Sequence, residues 1–374
     1  MRPDDKITWV EFDLLYDFMV EVFEKLGVPA DEARICGDVL IGSDKRGIDS
    51  HGIGRLKTIY YDRIKAGIQF PQTKIDVIKD TPTTAVLDAN HGMGMVASHK
   101  ANLMAIEKAK KNGLGMVAVR NSTHYGFCGY YALQATNAGM IGITGTNARP
   151  SVPPTFGVEN MLGTNPLVFG IPTDEEFPFI LDAATSISQR GKIEVYDRAE
   201  KDLPVGWVIG HDGEYKTDTK QVLKDLVAGT AALLPLGGAG EETGGYKGYG
   251  YSAVVEILSA ALQDGSYMKQ LLGFDADGNR QPYKLGHFFL AINVENFIEL
   301  DRFKAISGDI CRNLRNSKKV PGAERIYTAG EKEYLAGLER DGKGAPVNAN
   351  LQKQIETMRE ECGLSQYRFP FDND

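Results

Sequence analysis

The chain has few cysteines, no cationic excess and no long apolar run, and each shortage removes a class of function. Four cysteines stand among 374 residues, Cys36, Cys128, Cys311 and Cys362, and no two form a CxxC pair. That argues against zinc ribbons and thioredoxin-type redox chemistry. No HExxH or other ligand spacing is present, so no metal site is expected. Lys and Arg total 42 against 50 Asp and Glu, a net charge of −8. Such a chain offers no broad basic face to nucleic acid or to an anionic membrane, while a local group of arginines still suits a small anionic substrate. No apolar stretch approaches the roughly 18 residues of a spanning helix. The N-terminus is acidic and amphipathic rather than basic then apolar, so no leader peptide is expected. Scattered thiols and the missing leader point to the cytoplasm.

What the sequence has in surplus is glycine, 42 residues or about 11%, against a usual ~7%. Without a Gly-X-Y period, the surplus means tight turns and close backbone approach. Apolar spacing predicts helices over 12–26, 31–43 and 53–65, the first opened by a Thr8–Glu11 capping box. Strands then alternate with helices: strands at 83–88, 115–121, 140–147, 178–182 and 287–294, helices at 96–111, 129–138, 249–262, 300–316 and 348–362. This alternation predicts an α/β or α+β core. Spans 148–178 and 200–246 read as long irregular loops, of the kind that build a site or wrap a partner subunit.

Four stretches carry candidate chemistry. Residues 92–97, GMGMVA, fit a G-x-G-x-x-A dinucleotide finger after a strand. The following strand ends in Val119-Arg120-Asn121 without the acid that would read a ribose, so a tight turn packed on its helix is the better reading. KRGIDSHGIGRL places His51 between Ser50 and Arg55. A histidine suits acid–base work near neutrality, and an arginine clamps a carboxylate. RNSTHYG puts His124 directly after a strand, where ligands of open sheets bind. The glycine-rich segment 244–250 places Lys247 just ahead of a helix, a plausible phosphate cradle without Walker spacing. His91, His99, His211 and His287 show no partner pattern and read as structural or surface residues.

With GITGTNARPSVPPTFG, LGTNPLVFGIPT, LDAATS, GKIEVY, LPVGW, LLPLGG, KGYGYS and YTAGEKE, these stretches stand in one order along nearly the whole chain. In that order they resemble the malate/L-lactate/L-sulfolactate dehydrogenase family of non-Rossmann type, which includes ureidoglycolate dehydrogenase and diketogulonate reductase. The resemblance implies an α/β (α+β) fold with a mostly antiparallel central sheet, an NAD or NADP cofactor bound without a GxGxxG finger, and a homodimer. NAD is slightly favoured. It implies acid–base roles for His51 and His124, with Ser50 and Arg55 beside them. It places cofactor contacts on Ala148, on Asp182, Ala183 and Ala184, on Lys247, Gly248 and Tyr249, and on Ala329, Gly330 and Glu331.

On this reading Arg55 holds the C1 carboxylate, with Tyr60 in the substrate pocket. Arg149, at a strand end, would meet a second anionic group, which favours malate or sulfolactate over lactate. The substrate is a small anionic 2-hydroxy or 2-keto acid. The alternatives are an NADPH-dependent reductase of cyclic imino acids such as piperideine-2-carboxylate, and an inactive small-anion-binding protein. The expected division is a helical unit at 1–75 joined by 345–374, an NAD(P) domain at 76–315, and a return segment at 316–344 that carries the last cofactor motif.

Overall fold

Apolar residues recurring every three to four positions make the first helices one-sided, and that sidedness builds the first core. The computed structural model describes residues 7–373; residues 1–6 of the expected N-terminal unit, and residue 374, lie outside it. The chain begins β1 (Thr8–Val10), α1 (Phe12–Lys25), α2 (Ala30–Lys45), α3 (Asp62–Lys65), β2 (Asp76–Asp80), β3 (Thr84–Asp88), α4 (Gly94–Asn112), β4 (Leu114–Ser122), α5 (Gly129–Asn137) and β5 (Met140–Thr146). It continues β6 (Leu167–Ile171), β7 (Phe179–Ala183), α6 (Arg190–Arg198), β8 (Val208–Gly210), α7 (Thr219–Ala228), β9 (Ala231–Leu233) and α8 (Gly245–Ala260). It ends β10 (Leu285–Asn293), α9 (Leu300–Asn316), α10 (Glu331–Arg340), β11 (Ala345–Val347) and α11 (Ala349–Glu361).

Leu15, Phe18, Met19, Val22 and Phe23 form the buried face of α1. They pack with α2, residues 53–61 and the C-terminal segment; Phe18 meets Tyr367 and Phe369 edge-on. The expected capping box does not form. Thr8 lies in β1, which pairs antiparallel with β11, and α1 starts behind Glu11 with no side-chain cap. A backbone partner from the far end of the chain outcompetes the local cap.

A seven-stranded sheet in the order β2-β3-β4-β10-β5-β6-β7 forms the second core. Only the β3–β4 pair is parallel, so the sheet is mostly antiparallel, as expected. Ala97, Ala101 and Ala105 of α4 and Ala132 and Ala135 of α5 are the small residues that bring these helices onto it.

Three expectations are corrected. Span 148–178 holds β6, a five-residue strand between Pro166 and Pro172 too short to show a period, and span 200–246 holds β8, α7 and β9. The helix expected over 53–65 is a 3-10 turn, then a π-helix at Leu56–Tyr61, then α3. Lys247 is not ahead of its helix but inside the first turn of α8, which starts at Gly245. A Cβ at Gly245 would lie 2.0 Å from the Gly238 carbonyl oxygen, so this glycine serves close packing rather than loop freedom. β2 escaped sequence reading because it is an exposed, charged edge strand.

Candidate active site

Strand direction gathers the site. β4 and β5 both run antiparallel to β10, and β7 runs with them. Their C-terminal ends therefore lie at one end of the sheet, and deliver His124, Arg149 and Asp182 there. β10 starts at that same end, just after Tyr283.

His51 arrives from the first core. Asp44, in the last turn of α2, is buried, and its Oδ2 accepts a hydrogen bond from the Ile53 amide at 2.8 Å. Between them the chain passes so close that a Cβ on Gly52 would lie 1.8 Å from Asp44 Oδ1. Only glycine fits, and the histidine before it is held by that turn. Burial raises the Asp44 carboxyl to about 8.

The His51 and His124 rings stack with centroids 5.8 Å apart and planes 15° from parallel. Ser50 Oγ lies 2.8 Å from His51 Nδ1, and Arg55 Nε donates to the Ser50 carbonyl. The π-helix brings Tyr60, fully buried, to His124: its hydroxyl is 2.7 Å from Nδ1. The Gly126 amide also donates to that Nδ1, at 3.3 Å. A ring nitrogen that receives an N–H is unprotonated, so the network assigns Tyr60 O–H as a second donor and puts the proton of neutral His124 on Nε2. Both histidines are part-buried. Burial first, then the Arg55 charge, lowers His51 to about 4. Burial, with His51, Arg63, Arg55 and His287 behind it, holds His124 well below the usual histidine range. Both rings are therefore neutral at pH 7.

From His51 a cleft of about 1350 Å³ opens, with Phe12 and Lys45 on one wall and Asp182, Ala184, Ala329 and Gly330 on the other. The Asp182 carboxylate accepts from the Gly129 amide at 2.7 Å, at the positive end of α5. Gly330 has φ 90°, and a Cβ there would lie 2.9 Å from the Pro178 carbonyl oxygen.

The other expected cofactor positions lie off this cleft. The Ala148 amide donates to Asn165 Oδ1 at 3.2 Å. Ala183 ends β7 without lining the cleft. The buried Glu331 carboxylate accepts from the Thr328 amide and pairs with Arg325. Lys247 is exposed beside the Tyr246 ring, Gly248 packs on the Leu236 backbone, and Tyr249 packs against a third core around α6 and α7. The glycines of GMGMVA serve the histidine instead. The Gly94 amide donates to Thr123 Oγ1 at 2.9 Å, Thr123 Oγ1 donates to the Gly92 carbonyl, and a Cβ on Gly94 would lie 2.2 Å from the Thr123 carbonyl oxygen. The motif clasps the turn that carries His124.

Sequence reasoning missed Arg340 and Arg63 as parts of this neighbourhood. Arg63 did carry a signal: it lies three residues past Tyr60, one helical turn on. Arg340 closes the back of the turn that carries His51, donating to the Asp44 carbonyl at 2.7 Å and to Asp49. Among the described residues no group of three His, Cys, Asp or Glu is arranged to hold a metal, and no helix is long and apolar enough to cross a membrane.

A family model described as malate/L-lactate dehydrogenase matches residues 10–356. A malate dehydrogenase from Pyrococcus abyssi is 43% identical over 361 residues, 96% of this chain and 97% of that one. An L-sulfolactate dehydrogenase from Methanocaldococcus jannaschii is 36% identical over 347 residues, 93% of this chain and 95% of its own. The crystal structure of a malate dehydrogenase from Entamoeba histolytica superposes with a TM-score of 0.93 at 46% identity, covering 96% of this chain and 99% of that one.

Proposed function

The chain belongs to the malate/L-lactate dehydrogenase family, and from that premise we propose that it interconverts a small 2-hydroxy acid and its 2-keto acid by hydride transfer with a nicotinamide dinucleotide. A malate-like dicarboxylate, or sulfolactate, is favoured over lactate. The observation that carries the reading is the stacked pair of neutral histidines, with Arg55 near them, of which His51 lines a cleft larger than the 300–1,000 Å³ of ordinary small-ligand sites. The cleft has room for a dinucleotide and a wall of small residues, Ala184, Ala329 and Gly330, for close approach. With Asp182 these are the residues that would hold the cofactor; Ala148, Ala183, Lys247, Gly248, Tyr249 and Glu331 would act through backbone or from outside that wall. When bound, the nicotinamide supplies the hydride acceptor or donor.

The chain's own residues do the rest. Arg55 binds the C1 carboxylate and so orients C2, which secures the proximity term. His51, neutral at pH 7, takes the hydroxyl proton during oxidation and returns it during reduction. Ser50 holds the His51 ring. His124 donates from Nε2 to the substrate oxygen and steadies its developing charge. Tyr60 serves the substrate through His124, by fixing its tautomer. Arg149 meets the second anionic group.

Carboxylates on the cleft wall, Glu11, Asp13, Glu176, Asp182, Glu333 and Asp341, outnumber its cations, Lys45, Arg46, Lys192 and Lys332, and this small acidic excess slightly favours NAD over NADP. The exposed apolar row Tyr251, Val254 and Ile257 on α8 supports a homodimer. Four free cysteines suit a cytoplasmic setting.

The test follows NADH and NADPH oxidation with oxaloacetate, sulfopyruvate, pyruvate and piperideine-2-carboxylate. Fast turnover of oxaloacetate or sulfopyruvate is expected. Turnover of the cyclic imine alone would overturn the reading. Equal loss on lactate and malate in Arg149→Ala would remove Arg149 from the second-anion role.

A further inference from the structure

Arg63 lies beside His124, and two exposed arginines on separate segments, Arg149 and Arg280, stand near Arg63; among the described residues no carboxylate pairs with any of the three. Arg63 follows Tyr60 by one turn, in α3. Its guanidinium lies over the Tyr283 ring, 4.3 Å from the centroid. Arg149 follows the end of β5, and Arg280 stands on the segment that leads into β10. Arg280 and Arg149 are close enough to Arg63 to weaken its hold on its proton, behind the larger effect of its burial. Arg63 in turn is one of the charges that press on His124. Other arginines, among them Arg120, Arg312, Arg315, Arg340 and Arg359, pair with an Asp or Glu. Among the described residues neither Arg63, Arg149 nor Arg280 forms an ion pair.

The segment bearing Arg280 and Tyr283 is built to hold its place. The Tyr283 carbonyl lies 3.0 Å from His91 Nδ1, Asn147 Nδ2 donates to the Ser266 carbonyl at 3.0 Å, and Glu256 accepts from the Met268 amide at 2.8 Å. The Asp275 carboxylate accepts from the Asn279 amide and the Gln281 side chain, and so knits the turn before Arg280. Gathering like charges costs free energy, and an anion with two or more acceptor oxygens is the group that offsets it.

Resting on the proposed reaction, we propose that Arg63, Arg280 and Arg149 form the subsite for the substrate's distal anion, with Arg63, held over the Tyr283 ring, as the residue that sets the preference for dianionic over monoanionic 2-keto acids. A guanidinium held over an aromatic ring can still make a two-point contact with a carboxylate or sulfonate. A monoanionic acid leaves the three cations unanswered, as a site built for hydrogen bonds discriminates against a ligand that lacks the group.

The experiment measures kcat/KM with NADH for oxaloacetate, sulfopyruvate and pyruvate in the wild type, Arg63→Met, Arg63→Lys and Tyr283→Leu. In Arg63→Met the ratio of oxaloacetate to pyruvate is expected to fall about 10- to 100-fold, the worth of a charge-assisted contact. Arg63→Lys, which keeps the charge but loses the fork, should recover part of that ratio, and Tyr283→Leu should lower it. A fall for sulfopyruvate of the same size assigns the subsite to either anion; a fall for oxaloacetate alone assigns it to carboxylates. Equal losses on dianion and monoanion, or an unchanged ratio, overturn the proposal. If the wild type reduces none of the keto acids, the proposed reaction fails separately, and calorimetry with succinate and propionate reads the subsite. Tighter succinate binding that Arg63→Met abolishes then supports it, and equal binding of the two acids overturns it.

Discussion

Arg340 and Asp49 join two parts of the molecule that the chain keeps 291 residues apart, the guanidinium donating to the carboxylate through both terminal nitrogens. Arg340 ends α10, the helix that starts behind Gly330 on the cleft wall, and Asp49 lies two residues before His51. Between these ends α10 packs against the turn: a Cβ on Gly47 would lie 2.9 Å from the Ala336 Cβ. The helix is a strut from the cleft wall to the turn that carries His51.

Arg340→Met removes the ion pair and the bond to the Asp44 carbonyl. It should destabilise the protein by about 2 kcal/mol, lower kcat, and weaken NADH binding, since both ends of the strut lose their reference. Thermal melting and a fluorescence titration with NADH check this. A melted-down variant that bound NADH as tightly as the wild type would show that the two ends act independently.

The histidine pair makes two predictions of opposite kind. His51→Asn should lower hydroxy-acid oxidation by about 10²- to 10⁴-fold, and His124→Asn should lower it less, because a hydrogen-bond donor remains in the amide. The reverse order exchanges their roles. With His51 lowered to about 4, kcat/KM for oxidation should stay flat from pH 6 to 8. Stability responds at lower pH: an unfolded histidine titrates near 6.5, so between about 4 and 6.5 the unfolded chain binds more protons and stability falls as the pH falls. His51→Asn should flatten that part of the Tm–pH curve.

Asp44 works in the other direction. Its folded value of about 8 lies above the unfolded value of about 3.9, so its contribution is full below pH 4 and is lost as the pH rises through 8. Asp44→Asn keeps an acceptor for the Ile53 amide and has no proton to lose. Its Tm relative to the wild type should therefore climb between pH 5.5 and pH 8, and a constant difference would count against a neutral Asp44.

Gly94→Ala separates a packing role from a phosphate-binding one. The added methyl meets the Thr123 carbonyl oxygen, so the His124 turn must shift. A clash of this kind costs about 1–3 kcal/mol, and kcat should drop with NADH affinity little changed. A selective loss of NADH affinity would restore the phosphate-finger reading of GMGMVA.

Much of this molecule was legible before it folded. The period of Leu15, Phe18, Met19, Val22 and Phe23 specifies one helix face, and short apolar runs such as HFFLAINV specify strands, because burial of apolar area acts on local pattern. His51, Arg55 and His124 declared themselves by polar residues gathered around glycine, and the absence of an acid after GMGMVA already argued against a Rossmann finger. The tertiary structure decided the rest. It paired β1 with β11 in place of a local cap, and aligned the ends of β4, β5 and β7 so that residues from distant segments share one site. It also used the glycines at 52 and 94 for contact rather than freedom, and set Arg63 on Tyr283. Hydrogen-bond ladders and charge contacts between remote segments depend on where the backbone ends up, and no local period records that.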